Sequence, residues 1–162
     1  MEEPLYRDGR HYDIQHTHLI EDIAFYLQQA QQFGPPILEL ACGTGRITIP
    51  IAQQGFEIVG IDISESMLAR AKEKTERQQL PITWHQGDIR TFDFKRKFKL
   101  IIFPFNAIAH LHDLPSIGAC FKSVRDHLDD EGRFILDIFN PNLMRLINNE
   151  TPRIVSEYPD PD

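Results

Sequence analysis

The chain has 162 residues, in which 17 lysine and arginine residues stand against 24 aspartate and glutamate residues, for a formal net charge of −7 at pH 7. This length is typical of one domain, and the negative charge argues against broad contact with nucleic-acid phosphates. No apolar run approaches the roughly 20 residues that cross a bilayer, and the polar start of the chain is unlike a secretion signal. We therefore expect a cytoplasmic protein that does not enter a membrane. Cys42 and Cys120 are too few for a disulfide framework, and no cysteine and histidine spacing predicts a metal site.

Residues 1–34 are predicted to form an N-terminal segment and a helix. Apolar residues recur at helical spacing from residue 17 to residue 27, and the run ends at Gly34-Pro35-Pro36. Glycine and proline both interrupt helices, so this sequence is expected to separate the helix from the rest of the domain.

Residues 35–140 alternate between apolar strands and amphipathic helices. The strands are predicted at 37–41, 56–61, 82–85, 99–103 and 133–139, and the helices at 46–54, 65–78 and 115–128. Residues 129–132 are predicted to form a turn before the last strand. This alternation predicts an α/β fold, a doubly wound and mostly parallel sheet with helices on both faces. Ligands of such sheets bind beyond the carboxyl ends of the strands.

A glycine-rich turn follows the first predicted strand. Gly43 and Gly45 can take positive φ and lack a Cβ, so the backbone can approach a bound group closely before a helix begins near Arg46. Asp62 ends the second strand, 19 residues after Gly43, near the spacing of about 20 at which an acid binds ribose hydroxyls. The alternatives are an ordinary tight turn and an aspartate that caps the next helix.

Two residues distinguish between classes of nucleotide. The dinucleotide fingerprint has a third glycine where this chain has Thr48, which argues against NAD or FAD. Glu39 lies beside the turn, where its charge would repel a pyrophosphate but attract an ammonium group. S-adenosylmethionine is a ligand that carries such an ammonium group.

The segment from Glu39 to Gly45 resembles the first motif of the class I S-adenosylmethionine-dependent methyltransferases, and the likeness extends over roughly residues 12 to 140. The resemblance implies that Asp62 binds the ribose, that Ile63 and Met67 pack on the adenine, and that Asp88 and Ile89 contact its amino group and ring. Asp88 by itself would equally suit a turn. Residues 10–13 resemble the Tyr-Asp stretch that many small-molecule methyltransferases fold over the cofactor, and the alternative is an ordinary N-terminal segment. The residues expected at the cofactor are Tyr12, Glu39, Ala41, Gly43, Gly45, Arg46, Asp62, Ile63, Met67, Asp88, Ile89 and Phe103.

The loop after the fourth strand is expected to face the methyl donor and the acceptor. His110 is the candidate general base, because histidine titrates near neutral pH, and Asn106 is the candidate that orients the acceptor. The alternatives are a solvent-facing histidine, a turn-forming asparagine and, for Phe103, packing in the core rather than an aromatic wall beside the sulfonium.

The predicted function is transfer of a methyl group to a nitrogen or oxygen atom of a small molecule. Asn106 is followed by Ala107, whereas RNA and DNA methyltransferases of this type usually carry an Asn/Asp-Pro-Pro-Tyr sequence here. The alternatives are a module that binds S-adenosylmethionine without catalysis and, less favoured, an NAD-linked oxidoreductase.

Residues 141–162 are predicted to be a tail that leads toward a missing C-terminal region. The family normally continues after the fifth strand through a helix and two further strands, whereas only a short helix at 142–147 and an apolar run at 154–158 follow here. The fifth strand would then lie at a sheet edge open to pairing, so a homo-oligomer through this edge is a further expectation.

Overall fold

The computed structural model describes residues 8–16 and 18–140. Five helices and five strands alternate along most of this part of the chain. The helices are α1 (Gly9–His16), α2 (Ile23–Phe33), α3 (Thr48–Gln53), α4 (Glu65–Thr75) and α5 (Leu114–His127), with a short 3-10 helix at Ala107–His110. The strands are β1 (Ile37–Leu40), β2 (Ile58–Asp62), β3 (Ile82–Gln86), β4 (Phe98–Phe103) and β5 (Leu128–Leu136).

The five strands form one parallel sheet in the order β3-β2-β1-β4-β5. The chain moves outward in one direction from β1 to β3 and then crosses back to β4. The strand order therefore reverses between β1 and β4, and this reversal leaves a crevice beyond their carboxyl ends. The predicted doubly wound α/β fold is confirmed.

The core lies on both faces of the sheet because parallel strands bury both sets of side chains. Leu38 and Leu40 of β1 pack on one face, in a cluster that includes Val124 of α5. Ile37 of the same strand packs on the other face, in a cluster that includes Tyr26 of α2. The alternation along β1 places Glu39 on the second face, beside α3.

Several predicted boundaries differ from the structure; for example, the helix predicted at 65–78 ends at Thr75. The N-terminal helix begins at Ile23 rather than near residue 17, because residues 19–23 are held in turns by hydrogen bonds to His16 and Ile20. The helix predicted at 46–54 is shorter and starts at Thr48. The fifth strand covers 128–136 rather than 133–139, and the polar residues 129–132, predicted as a turn, form an irregularity within it.

The predicted helix at 142–147 and the predicted pairing strand at 154–158 lie outside the described residues. Within residues 8–16 and 18–140, no helix has the length and apolar character needed to cross a membrane. The same part of the chain holds no group of three or more histidine, cysteine, aspartate or glutamate side chains that could hold a metal ion.

Candidate active site

A cavity of about 510 Å³ opens at the carboxyl ends of the strands, where the strand order reverses. It brings together most of the residues that the sequence predicts for a cofactor and a general base. The predicted residues that line it are Tyr12, Glu39, Ala41, Gly43, Arg46, Asp62, Ile63, Met67, Asp88, Ile89 and His110. The other three, Gly45, Phe103 and Asn106, are not part of the lining.

The turn after β1 has the backbone conformation that its glycines suggested. Gly43 has φ of 55° and Gly45 has φ of 82°, and Ala41 also takes a positive φ of 53°. A Cβ on Gly43 would lie 3.2 Å from the Met67 Cε atom, and a Cβ on Gly45 would lie 2.7 Å from the Trp84 ring. Gly43 thus keeps the cavity open, whereas Gly45 makes room for packing beneath the turn.

Asp62 joins the ends of β1 and β2. Its Oδ2 atom accepts a hydrogen bond of 2.7 Å from the Gly43 amide, and its Oδ1 atom accepts one of 2.9 Å from the Ser64 amide. Burial raises the pKa of Asp62, and these two hydrogen bonds offset part of that effect. Ser64 itself caps α4, with its hydroxyl facing the Met67 amide. The carboxylate is therefore held rigidly at the cavity wall.

Glu39 is buried, with 2% of its surface exposed, yet it lies at the cavity. The Thr48 hydroxyl donates a hydrogen bond to its Oε2 atom. Burial raises the pKa of Glu39 to about 8, and the bond from Thr48 and the charge of Arg46 oppose this shift. Thr48 occupies the position at which the dinucleotide fingerprint has its third glycine. The residue that departs from that fingerprint is therefore the hydrogen-bond donor to the buried Glu39 carboxyl group.

Helix α1 covers one side of the cavity and is held there by Asp13. The Asp13 carboxylate accepts hydrogen bonds from Thr44 Oγ1 at 2.6 Å, Arg70 Nε at 2.8 Å and Lys74 Nζ at 2.9 Å. Gly9 lies so close to α4 that a Cβ there would come within 2.6 Å of the Arg70 Cβ. These contacts position Tyr12, the residue before Asp13 in the helix, at the cavity.

Replacement of Asp13 with alanine is expected to release α1 from α4. The amides of residues 9–16 should exchange with solvent faster, and ligand affinity should fall about tenfold, since three charge-assisted or hydroxyl hydrogen bonds are lost together. Hydrogen exchange and calorimetric titration would measure both effects. Glu76→Ala, which removes an exposed carboxylate at the end of α4, is the control and should change neither. Unchanged exchange in Asp13→Ala would contradict this account of the helix.

Aromatic rings continue the wall from α1 to the loop after β4. Tyr12 stacks on His16 with ring centroids 4.2 Å apart, and the rings of His16 and Phe105 form a T-shaped pair with centroids 5.3 Å apart. The Arg46 guanidinium lies over the Phe105 ring, 4.7 Å from its centroid, and is paired with Asp22 at 2.6 Å. The sequence did not predict the contacts of Phe105 with Arg46 and His16, because they join residues from separate elements of the fold.

Asp88 follows β3 at the cavity, as predicted, but it also has a partner within the chain. Its carboxylate accepts hydrogen bonds of 2.9 Å from Arg90 Nε and of 2.8 Å from the Arg90 backbone amide. The bond from the Arg90 side chain is the main cause of the lowered pKa of Asp88. The carboxylate is therefore ionised and oriented as an acceptor.

Phe103 and Asn106, two predicted site residues that do not line the cavity, have structural contacts elsewhere. Phe103 is fully buried and packs in the core cluster of β4 and α5, as its alternative interpretation held. Asn106 lies in the loop after β4 with φ of 54°, and its Oδ1 atom accepts a hydrogen bond of 3.0 Å from the Phe139 amide. His110, four residues later, does reach the cavity, where its charge would act on Asp62.

A second cavity of similar size, about 540 Å³, lies between α5 and residues 90–97. It lies beside the amino end of β4 rather than at the carboxyl ends of the strands. Two of its lysines face local acids: Lys122 is 2.8 Å from Asp126, and Lys95 is paired with Asp93. Position in the sheet, rather than size, therefore selects the first cavity as the candidate site.

The family described as Methyltransferase domain matches residues 37–132, the part of the chain that contains the sheet and most of the cavity residues. The chain belongs to the class I methyltransferase family. The match includes the glycine turn, Asp62 and Asp88, so the predicted family is confirmed on the residues that suggested it.

Three comparisons show how this methyltransferase domain relates to known proteins. The YqeM protein of Bacillus subtilis (strain 168), named as a methyltransferase, is 39% identical over 103 residues, which are 63% of this chain and 41% of YqeM. The dTDP-3-amino-3,4,6-trideoxy-alpha-D-glucopyranose N,N-dimethyltransferase of Streptomyces venezuelae is 31% identical over 117 residues, 72% of this chain and 47% of that protein. The glycopeptide N-methyltransferase MtfA, in its crystal structure with sinefungin, is 28% identical in sequence and has a TM-score of 0.64. This match covers 74% of this chain and 54% of MtfA.

The chain spans less than half the length of the two curated relatives. Other crystal structures of MtfA contain S-adenosylhomocysteine or S-adenosylmethionine. At the level of the family, the predicted cofactor is therefore confirmed.

Proposed function

We propose that this methyltransferase domain binds S-adenosylmethionine in the cavity at the strand ends and transfers its methyl group to a nitrogen or oxygen atom of a small molecule. One observation carries the proposal. Glu39, Asp62 and Asp88 lie at the carboxyl ends of the three neighbouring strands β1, β2 and β3, around a turn whose glycine leaves the cavity open.

The cavity fits this cofactor in size and in chemistry. Its volume of about 510 Å³ falls within the range of about 300 to 1,000 Å³ that small-molecule sites occupy. The three carboxylates are acceptors, and they match the donors of the cofactor: the ammonium group with Glu39, the ribose hydroxyls with Asp62 and the adenine amino group with Asp88. Ile63, Met67 and Ile89, which also line the cavity, provide apolar surface for the adenine ring.

The cofactor supplies an activated methyl group on a positively charged sulfur. The chain must place the acceptor in line with that methyl group and exclude water. Of the side chains predicted for this work, His110 lies at the cavity and is proposed to take a proton from the acceptor. Arg46 and Phe105 close the side of the cavity nearest α2.

A small-molecule acceptor is supported by the loop after β4 and by the relatives. Asn106-Ala107 departs from the sequence typical of nucleic-acid methyltransferases. The relative from Streptomyces venezuelae is named for a nucleotide-linked amino sugar and MtfA for a glycopeptide. An amine on a polar small molecule is therefore the first acceptor class to test.

The raised pKa of Glu39 should make the stability of the folded protein depend on pH. The folded protein holds this proton up to about pH 8, whereas the ordinary glutamate pKa is 4.5. Between these values the folded state binds more protons than the unfolded state, so the free energy of unfolding falls as pH rises, by at most about 1.4 kcal/mol per pH unit. Asp62, whose pKa is also raised, acts in the same direction. Urea unfolding from pH 5 to pH 8.5 should show this slope, and Glu39→Gln should flatten it.

Ligand binding should remove the proton from Glu39. An ammonium group beside the side chain favours its ionised form, so we expect S-adenosylmethionine to release a proton when it binds at pH 7. Calorimetric titrations in buffers of different ionisation enthalpy would measure that proton. Glu57→Gln, a change at an exposed glutamate, is the control. Equal proton release in wild type and Glu39→Gln would assign the proton to another group.

Titration of S-adenosylmethionine, S-adenosylhomocysteine and NAD into the 162-residue chain tests the proposed cofactor site. Binding of the first two but not of NAD is the expected result. Preferential binding of NAD would support an oxidoreductase and overturn the proposal. Binding followed by release of S-adenosylhomocysteine with an amino-sugar acceptor would support catalysis, whereas binding without turnover across amine and hydroxyl acceptors would favour a non-catalytic binding module.

A further inference from the structure

Asp137, one residue past β5, holds the loop that follows β4. Its Oδ2 atom accepts a hydrogen bond of 2.8 Å from the Phe105 amide, and its Oδ1 atom accepts one of 2.7 Å from the Asn106 amide. Both loop residues have positive φ, 60° for Phe105 and 54° for Asn106. Residues that carry side chains adopt this conformation at a cost of about 1 to 2 kcal/mol each, so an interaction must hold them there. The two bonds to one carboxylate provide it.

Tyr26 of α2 in turn orients Asp137. The Tyr26 hydroxyl donates a hydrogen bond of 2.6 Å to Asp137 Oδ2, and the tyrosine is 1% exposed. Burial, and then the neighbouring Asp137, raise the pKa of Tyr26, so its hydroxyl stays protonated and remains a donor. The carboxylate therefore receives three hydrogen bonds, from α2 and from two successive backbone amides.

The conformation of residues 105 and 106 determines what the loop presents to the cavity. The Phe105 ring contacts both the Arg46 guanidinium and the His16 ring. The 3-10 helix that starts at Ala107 brings His110 to the cavity. If residues 105 and 106 relaxed to negative φ, the chain direction would change and both side chains would leave these positions.

We propose that Asp137 is a positioning residue of the methyl-transfer site, which acts by holding Phe105 and Asn106 in the left-handed conformation that directs Phe105 and the following 3-10 helix toward the cofactor. This inference rests on the proposed function for its link to methyl transfer. The hydrogen bonds to the loop stand independently of that function. If Asp137 served only stability, it would connect β5 to the chain after β4, and its replacement would not change how a ligand is held in the cavity.

Asp137→Asn tests the inference with two readouts that do not require an acceptor. Asparagine keeps one acceptor oxygen but loses the charge, so exchange of the Phe105 and Asn106 amides should become at least about tenfold faster. The second readout is the NMR shift of S-adenosylmethionine labelled with carbon-13 in its methyl group. The difference between its bound and free shifts should fall by about half or more, because the aromatic and cationic groups around it move. Asp126→Asn, at an exposed carboxylate of α5, should change neither.

A double variant separates positioning from general stabilisation. Glycine takes positive φ without strain, so Asn106→Gly in the Asp137→Asn background should recover part of the wild-type methyl shift. A loss caused by general destabilisation would not be recovered this way, since glycine also removes the hydrogen bond from the Phe139 amide to the Asn106 side chain.

Tyr26→Phe is the variant to test in its place if Asp137→Asn does not fold. It removes only the hydroxyl that orients the carboxylate, and it should produce the same two changes at about a third of their size, because one of three hydrogen bonds is lost. Unchanged amide exchange would overturn the holding role of Asp137, and faster exchange with an unchanged methyl shift would overturn its link to the site. If the wild type bound no S-adenosylmethionine, the proposed function would fail, while amide exchange would still decide the role of Asp137 in the loop.

Discussion

Asp62→Ala is expected to remove most S-adenosylmethionine binding and to destabilise the fold at the same time. The carboxylate that is proposed to bind the ribose also accepts the amides of Gly43 and Ser64. A hydrogen bond to a charged group contributes about 1.5 to 3 kcal/mol, so the loss of one such ribose contact should weaken binding by roughly 10- to 100-fold. The unpaired amides should lower the free energy of unfolding by about 1 to 3 kcal/mol.

Calorimetric titration and urea unfolding would measure the two effects of Asp62→Ala separately. The matched control is Asp130→Ala, which removes an exposed carboxylate within β5, and it should retain wild-type affinity. Affinity within about threefold of wild type in Asp62→Ala would leave this carboxylate with a purely structural role.

Gly43→Val is expected to abolish binding through the shape of the turn rather than through charge. Position 43 has φ of 55°, and even a Cβ there would lie 3.2 Å from the Met67 Cε atom. Valine adds a branched side chain that opposes this φ and extends into the cavity. We expect affinity for S-adenosylmethionine to fall by at least about 100-fold, equivalent to about 2.8 kcal/mol.

Gly55→Val provides a control that shares the strain but not the site. Gly55 has φ of 86° with nothing within 4 Å of an added Cβ, and it does not line the cavity. Both variants should lose stability to unfolding, by about 1 to 3 kcal/mol, but only Gly43→Val should lose the ligand. Equal affinity in the two variants would argue that the turn after β1 does not contact the cofactor.

Local sequence signals were sufficient for the features that depend on a single strand and the turn after it. The glycines of the first turn, Asp62 after β2 and Asp88 after β3 all lie at strand ends, and parallel strands bring their carboxyl ends to one edge. Periodicity therefore predicted the sheet and the edge at which the cavity lies, whereas the resemblance to the methyltransferase family pointed to Ile63, Met67 and Asp88 in its lining. The difference at β5 arose because the acidic run at 129–132 has the composition of a turn, although the chain absorbs it as an irregularity within the strand.

Features that depend on pairs of distant residues left no local signal. Thr48 supports a buried acid nine residues earlier, and Asp137 supports a loop about 30 residues earlier. In each case a polar side chain is satisfied by a partner that only the fold brings near, so no spacing in the sequence could reveal the pair.

The proposed contacts of the three strand-end carboxylates have a consequence for turnover. The ammonium, ribose and adenine groups that Glu39, Asp62 and Asp88 would bind are the same in S-adenosylmethionine and in S-adenosylhomocysteine. Interactions that hold reactant and product equally give affinity without favouring release. The demethylated product would then compete with the methyl donor for the same carboxylates, so sustained activity would depend on continuous removal of that product.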